Sequence, residues 1–206
     1  MNITDKLATS LNRRDEAPNI ALAQEIVQAN DKKAVADLVE HLHDKNKEIQ
    51  SDCIKVLYEI ANLNPALAAA FTRQFIDLLG HKNNRLQWGA MTTLNALTLE
   101  DPKAIYAALP KIISAADNGS VITNDHCVGI LIKLCTITTY ADDAFTLLNE
   151  RLKTCPTNQL PMYAEQTLPI INDKNKATFK STLLSRLDEI EKESKRKRVE
   201  KVLKKV

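Results

Sequence analysis

The chain has 206 residues, 44% apolar and 26% charged, with 4% aromatics, 4 glycines and a formal net charge of +2. Scarce aromatics and glycines argue against an all-β fold, which needs aromatic-rich strands and Gly-rich turns, while the dominance of Leu, Ala, Lys, Glu, Ile and Asn leans to helix. Met1 to Arg14 lacks the apolar run of a secretory leader, and no stretch approaches the roughly 18 apolar residues of a membrane span, so a cytoplasmic chain with no membrane contact is expected.

The N-terminal stretch carries two apolar stripes at helical spacing, Ile3/Leu7/Leu11 and Ile20/Ala23/Ile26/Val27. Residues 1–32 read as an irregular capping unit, since a terminal repeat must cover an open end of the core.

From residue 33 the pattern becomes periodic. The stripe Cys53, Leu57, Ile60 has helical spacing, and stepping by 37 residues gives Ala90, Leu94, Leu97, then Cys127, Leu131, Leu134, then Ala164, Leu168, Ile171. Every position is small or aliphatic. A small residue in the first column suits helices that pack closely side by side. The preceding segments repeat as well: Val35, Leu38, Val39 and Leu42 map to Thr72, Phe75, Ile76 and Leu79, and then to Leu109, Ile112, Ile113 and Ala116. In the fourth unit this stripe slips by one residue, to Phe145, Leu148 and Leu152, and the following turn is longer. Asn64-Pro65 and Asp101-Pro102 close repeats, because the residue before proline is pushed out of the helical region. Polar turns at 44–47, 81–84, 117–120 and 154–158 separate the two helices of each unit.

Four central repeats thus occupy 33–173, near 33–65, 66–102, 103–140 and 141–173. A C-terminal capping repeat fills 174–206, with Leu183, Leu187 and Ile190 in its first helix and Val199, Val202, Leu203 and Val206 in its second. The expectation is one all-α domain over 1–206, a solenoid of about five two-helix repeats.

This unit, with its polar turn and its Cys/Ala and Leu columns, resembles the HEAT or armadillo-like family of α-helical repeats over nearly the whole chain. It lacks the family's usual Asp-then-Val/Arg pair in the turn, where Glu48-Ile49 and Arg85-Leu86 match only in part. The resemblance implies an α–α superhelix whose second helices line a concave face. It implies partner binding more often than catalysis, and so a non-enzymatic protein-interaction scaffold for a protein partner. Fold alone names no partner.

If the second helices line that face, the rows Ser51/Trp88/Asp125/Met162, Lys55/Thr92/Gly129/Gln166 and Tyr58/Asn95/Ile132/Pro169 look into it. Trp88 is the chain's only tryptophan, and aromatic and arginine side chains anchor interfaces. The candidate partner-binding residues are therefore Tyr58, Arg85, Trp88, Asp125 and Met162. The competing reading of Trp88 is packing beneath the turn.

The segment from Lys192 to Val206 holds eight Lys/Arg against two Glu, which leaves the rest of the chain mildly acidic. Lys195, Arg196, Lys197 and Arg198 are candidate nucleic-acid contacts. The charges alternate with the apolar stripe Val199/Val202/Leu203/Val206, which favours the exposed face of an amphipathic capping helix, where cations near the C-terminus suit the helix dipole.

Little points to catalysis or cofactors. His41, His43, His81 and His126 lack the i, i+4 pairing of a helical metal site, and there is no phosphate loop, nucleophile elbow or HExxH. Cys53, Cys127, Cys135 and Cys155 form no CxxC pair and read as reduced thiols. No cofactor, metal or catalytic residue is expected. As an alternative, a similarity to HEAT-like alkylpurine DNA glycosylases would cast Trp88, Arg85 and Asp125 in DNA-processing roles, against the acidic body and scarce aromatics.

Overall fold

A computed structural model describes residues 2–206. Contacts divide the chain into two compact units, Met1–Cys127 and Val128–Val206. Among the described residues every regular element is helical.

The first unit opens with a 3₁₀ turn, Ile3–Lys6, followed by α1 (Ala17–Ala29), α2 (Lys32–Glu40) and α3 (Lys47–Leu63). Then come α4 (Pro65–Ala68), α5 (Thr72–Leu78), α6 (Asn84–Leu97), α7 (Pro102–Ala107), α8 (Leu109–Asp117) and α9 (Val121–Cys135), whose later residues belong to the second unit. Here α3 packs between α1 and α6, while α5 packs on α7. Second helices lie on second helices and first helices on first, as repeated stacking requires.

The columns deduced from the 37-residue period form this unit's core. Cys53, Leu57, Ile60, Ala90, Leu94 and Leu97 are fully buried, as are Val35, Leu38, Phe75 and Ile112. The close approach that the small column implies is tightest one residue away. Gly89 on α6 faces Ile54 on α3 so closely that a Cβ there would lie 2.5 Å from Ile54 Cγ1.

Two first helices are broken where continuous segments were expected. Pro65 begins α4, and the 3₁₀ turn Ala69–Phe71 separates it from α5. Pro102 begins α7 behind the Asp101 cap, whose carboxylate accepts the Ala104 N–H at 3.2 Å. Pro110 then has no N–H to continue the ladder, so α7 ends and α8 starts anew. At the N-terminus Leu7, Ala8, Asn19, Leu22, Ala23 and Ile26 are buried, while Leu11 and Ile20 are exposed. The Ile3/Leu7/Leu11 stripe is no regular helix: beyond the short 3₁₀ turn the chain is irregular to Glu16.

The second unit contains α10 (Ala141–Thr154), α11 (Leu160–Thr167), α12 (Lys176–Arg186) and α13 (Glu193–Leu203), with α10 on α12 and α11 on α13. Leu148, Leu152, Ala164, Leu183, Val199 and Val202 are buried. The fourth repeat's second helix is short, because Pro169 closes it into a 3₁₀ turn and leaves Leu168 and Ile171 half-buried. Arg186 ties α12 to the end of α10: it is largely buried, donates from Nη1 to the Leu152 carbonyl at 2.9 Å and pairs with Glu189 at 2.7 Å.

Candidate functional site

The turns of the first unit repeat in their polar chemistry as well as in their core. Asn46 and Asn83, 37 residues apart, accept the N–H groups of Glu48 and Arg85 at 2.9 and 3.0 Å and so cap α3 and α6. One turn further on, Gln50, Gln87 and Asn124 are again spaced by 37. Their side-chain amides donate to the carbonyls of Asp44, Leu79 and Ala116 at 2.7, 2.8 and 2.8 Å. Each bond ties a second helix to the end of the preceding first helix or to the turn just beyond it. Sequence reasoning missed this ladder, although extending the 37-residue comparison to polar positions would have found it.

On this frame Tyr58, Arg85 and Trp88 come together. The Tyr58 and Trp88 rings lie 5.6 Å apart at an interplanar angle of 48°, a tilted pair at aromatic contact distance. Tyr58 is buried and Trp88 half-buried. Trp88 therefore packs against Tyr58 while keeping part of its surface in solvent. A cation covers each ring: Lys55 Nζ is 4.7 Å from the Tyr58 centroid and the Arg85 guanidinium 5.8 Å from that of Trp88.

Glu16, at the start of α1, joins the two cations. Its carboxylate lies 2.8 Å from Lys55 Nζ and 3.5 Å from Arg85, and Glu59 completes the Lys55 shell at 2.7 Å. Burial works to lower the Lys55 pKa, but hydrogen bonds to Glu16 and Glu59 outweigh it and hold the ammonium above the ordinary lysine range. Burial pushes the Tyr58 phenol up, against the pull of the Lys55 charge.

No local signal could have singled out Glu16, because it arrives from an irregular segment. That segment is fastened by Asp52, whose carboxylate accepts the Thr9 N–H at 2.7 Å and the Asn19 amide at 2.8 Å; Asn19 in turn accepts the Ala8 N–H at 3.0 Å. Beneath it opens a cleft of about 670 Å³ lined by Asn12, Arg14, Glu16, Ser51 and Arg85.

Asp125 sits half-buried on α9, beside His126, whose Nδ1 lies 3.0 Å from the Asn95 amide. Beyond the Trp88 edge is a smaller cleft of about 320 Å³, lined by Asn84, Gln87, Asn118, Ser120 and Thr123, with no charged residue in its wall.

In the second unit Met162 is half-buried on α11. All four tail cations are engaged within that unit. Lys195 donates to the Asn158 side chain at 2.6 Å, and Arg196 pairs with Asp188 at 3.0 Å. Lys197 lies 3.3 Å from Glu193, and Arg198 grips both oxygens of Glu165 at 2.9 and 2.6 Å. The Arg198 hydrogen bond holds Glu165 below the usual carboxylate range.

The four cysteines are free thiols, and Cys53, Cys127 and Cys155 are buried. Among the described residues no group of three or more His, Cys, Asp or Glu is placed to hold a metal ion, and no helix is long and apolar enough to cross a membrane.

No known family profile and no curated protein matches the chain. Solved structures do. A designed armadillo repeat protein, YIII(Dq.V1)4CPAF in complex with the peptide (KR)4, is similar at a TM-score of 0.65 and 16% identity, over 90% of this chain and 85% of that one. Another designed armadillo repeat protein, YIII(Dq)4CqI, gives 0.64 at 15% identity over 98% of each chain. An engineered protein gives 0.61 at 16% identity over 100% of this chain and 96% of that one. Identities this low speak to fold, and the chain has the armadillo/HEAT-like α-helical repeat fold.

Proposed function

We propose that the chain is a non-enzymatic protein-interaction scaffold that holds a protein partner on the face presented by its second helices, concave in solenoids of this kind. The observation that carries this reading is the Tyr58–Trp88 pair. Two rings from successive second helices are in tilted contact at 5.6 Å, and the second keeps part of its surface in solvent, where a partner can reach it. Aromatic anchors flanked by arginine are the side chains that dominate interface energies. Arg85 and Asp125 are further candidate contacts in the first unit, and Met162 is a candidate contact of the second unit taken by itself. One designed neighbour is described as bound to a peptide, (KR)4, which accords with a peptide or protein as the partner here. Cysteines kept as thiols, three of them buried, accord with a reducing, cytoplasmic setting.

The test is capture of a partner from source-cell lysate by the wild-type chain and by Trp88→Ala and Tyr58→Phe. Loss of the captured protein with Trp88→Ala, at unchanged helicity, supports the scaffold. Equal capture by both variants refutes the assigned face.

The alternative is nucleic-acid binding through the basic C-terminal segment at Lys195, Arg196, Lys197 and Arg198, each of which would exchange its partner within the unit for a phosphate. It requires affinity that falls steeply with salt.

A further inference from the structure

The repeat ladder breaks at one place, and the break coincides with the uncharged cleft beside Trp88. Between the first and second turns, Gln50 is satisfied at both ends. Its amide donates to the Asp44 carbonyl, and its Oε1 accepts the Asn83 Nδ2 at 3.2 Å. Asn83 thus caps α6 and also bridges to the preceding repeat. One repeat on, Gln87 stands in the place of Gln50 and makes the same first bond, to the Leu79 carbonyl. The place of Asn83 is taken by Ser120. Its shorter side chain turns to Thr123, at 3.2 Å from Oγ1, and does not reach Gln87. No described group donates to Gln87 Oε1, and Gln87 and Ser120 both line the cleft of about 320 Å³.

We propose that this cleft recognises a carboxamide, the side chain of an asparagine or glutamine in an uncharged stretch of a peptide partner. The incoming amide donates to Gln87 Oε1, as Asn83 does to Gln50, and its neighbouring backbone lies along Trp88. This rests on the scaffold reading and specifies its partner's chemistry.

The charge balance favours a neutral ligand. Lys55 and Arg85 already occupy the ring faces on which a basic peptide would stack, and they neutralise Glu16 and Glu59. The wall of the cleft supplies amides, hydroxyls and the indole edge, with no charge to steer a lysine or a carboxylate. Gln87 is half-buried and its amide oxygen has no donor among the described residues, so a ligand that supplies one gains over a ligand that cannot.

Trp88 is the only tryptophan, so its emission reports the site directly. The full chain is titrated with three end-blocked peptides: Gly-Ser-rich with central Asn and Gln, the same peptide with Asp and Glu in their place, and (KR)4. The expected result is a saturable emission change with the Asn/Gln peptide alone, insensitive to salt beyond the screening range. Ser120→Asn, which restores the side chain found at 83, should weaken that peptide about tenfold or more while leaving the unfolding midpoint equal to or above that of the wild type. Should Ser120→Asn fold poorly, Asn84→Ala on the cleft wall gives the second reading, with an expected loss of about two- to tenfold. Equal response to the Asp/Glu peptide, undiminished binding by both variants, or no response to any peptide overturns the proposal. A salt-sensitive response to (KR)4 alone also overturns it, yet leaves the scaffold standing, since that reading is decided by the capture experiment with Trp88→Ala.

Discussion

Gly89→Ala perturbs the contact that brings the two aromatic helices together. In a helix interior open to solvent, this change stabilises by about 0.8–1.0 kcal/mol, because alanine loses less backbone freedom on folding. Here the new methyl would sit 2.5 Å from Ile54 Cγ1 and 3.3 Å from Cγ2, whereas carbon atoms in good contact are about 3.5–4.0 Å apart. Ile54 is fully buried and has nowhere open to move. Overpacking a close-packed core costs about 1–3 kcal/mol, so the two effects together leave Gly89→Ala neutral to destabilising by about 2 kcal/mol. Ile54→Ala removes both colliding atoms at a cost of about 2–5 kcal/mol on its own. In that background Gly89→Ala should be stabilising, which gives a coupling of about 1–3 kcal/mol between the sites. Denaturant unfolding followed by far-ultraviolet circular dichroism, extrapolated to water for all four chains, measures this coupling. A stabilisation of about 1 kcal/mol in the wild-type background would refute the close approach of α3 and α6.

Trp88→Ala should cost about 1–2 kcal/mol, below the 3–5 kcal/mol of a fully buried aromatic, and leave a folded chain; loss of helicity at ambient temperature would instead make Trp88 a core residue. Lys55→Met tests the charge clasp by its pH dependence. Because the folded pKa of Lys55 is raised, its stabilisation is complete below an unfolded value of about 10.4 and is lost as pH climbs through the folded one. The difference between wild type and Lys55→Met should therefore stay constant at neutral pH and shrink only under strong alkali, and a difference that grows with pH contradicts the clasp. Burial pushes the thiols of Cys53 and Cys135 up to about 12. Iodoacetamide at about pH 8 should leave both unmodified in the native chain and label them in denaturant; rapid native labelling of Cys53 would contradict its place in the core.

The repeat was legible because each core contact joins equivalent positions of successive units. Stacking makes Cys53 and Ala90, or Leu57 and Leu94, solve the same packing problem, so the solution recurs in the sequence at a fixed interval. The turns were legible for a similar reason, since Asn and Asp cap helices through bonds a few residues long. Where Pro110 and Pro169 interrupt the helices, the residues were in plain view, yet the apolar stripe continued across or up to them and masked the breaks. The candidate site was only partly visible. Tyr58 and Trp88 stood out as aromatics on adjacent second helices, but their contact depends on the closeness that Gly89 allows.

Glu16 lay wholly beyond reach of the sequence. It belongs to an irregular segment whose path follows no period and is fixed by Asp52 and Asn19, so only the folded chain brings its carboxylate to Lys55 and Arg85. The sequence by itself determined the helices, their interval and the core they share, because those arise from short-range periodicity. Tertiary structure alone decided which charges meet over the aromatic pair and how large a cleft opens beside Ser120, because both depend on distances between elements that no local spacing encodes.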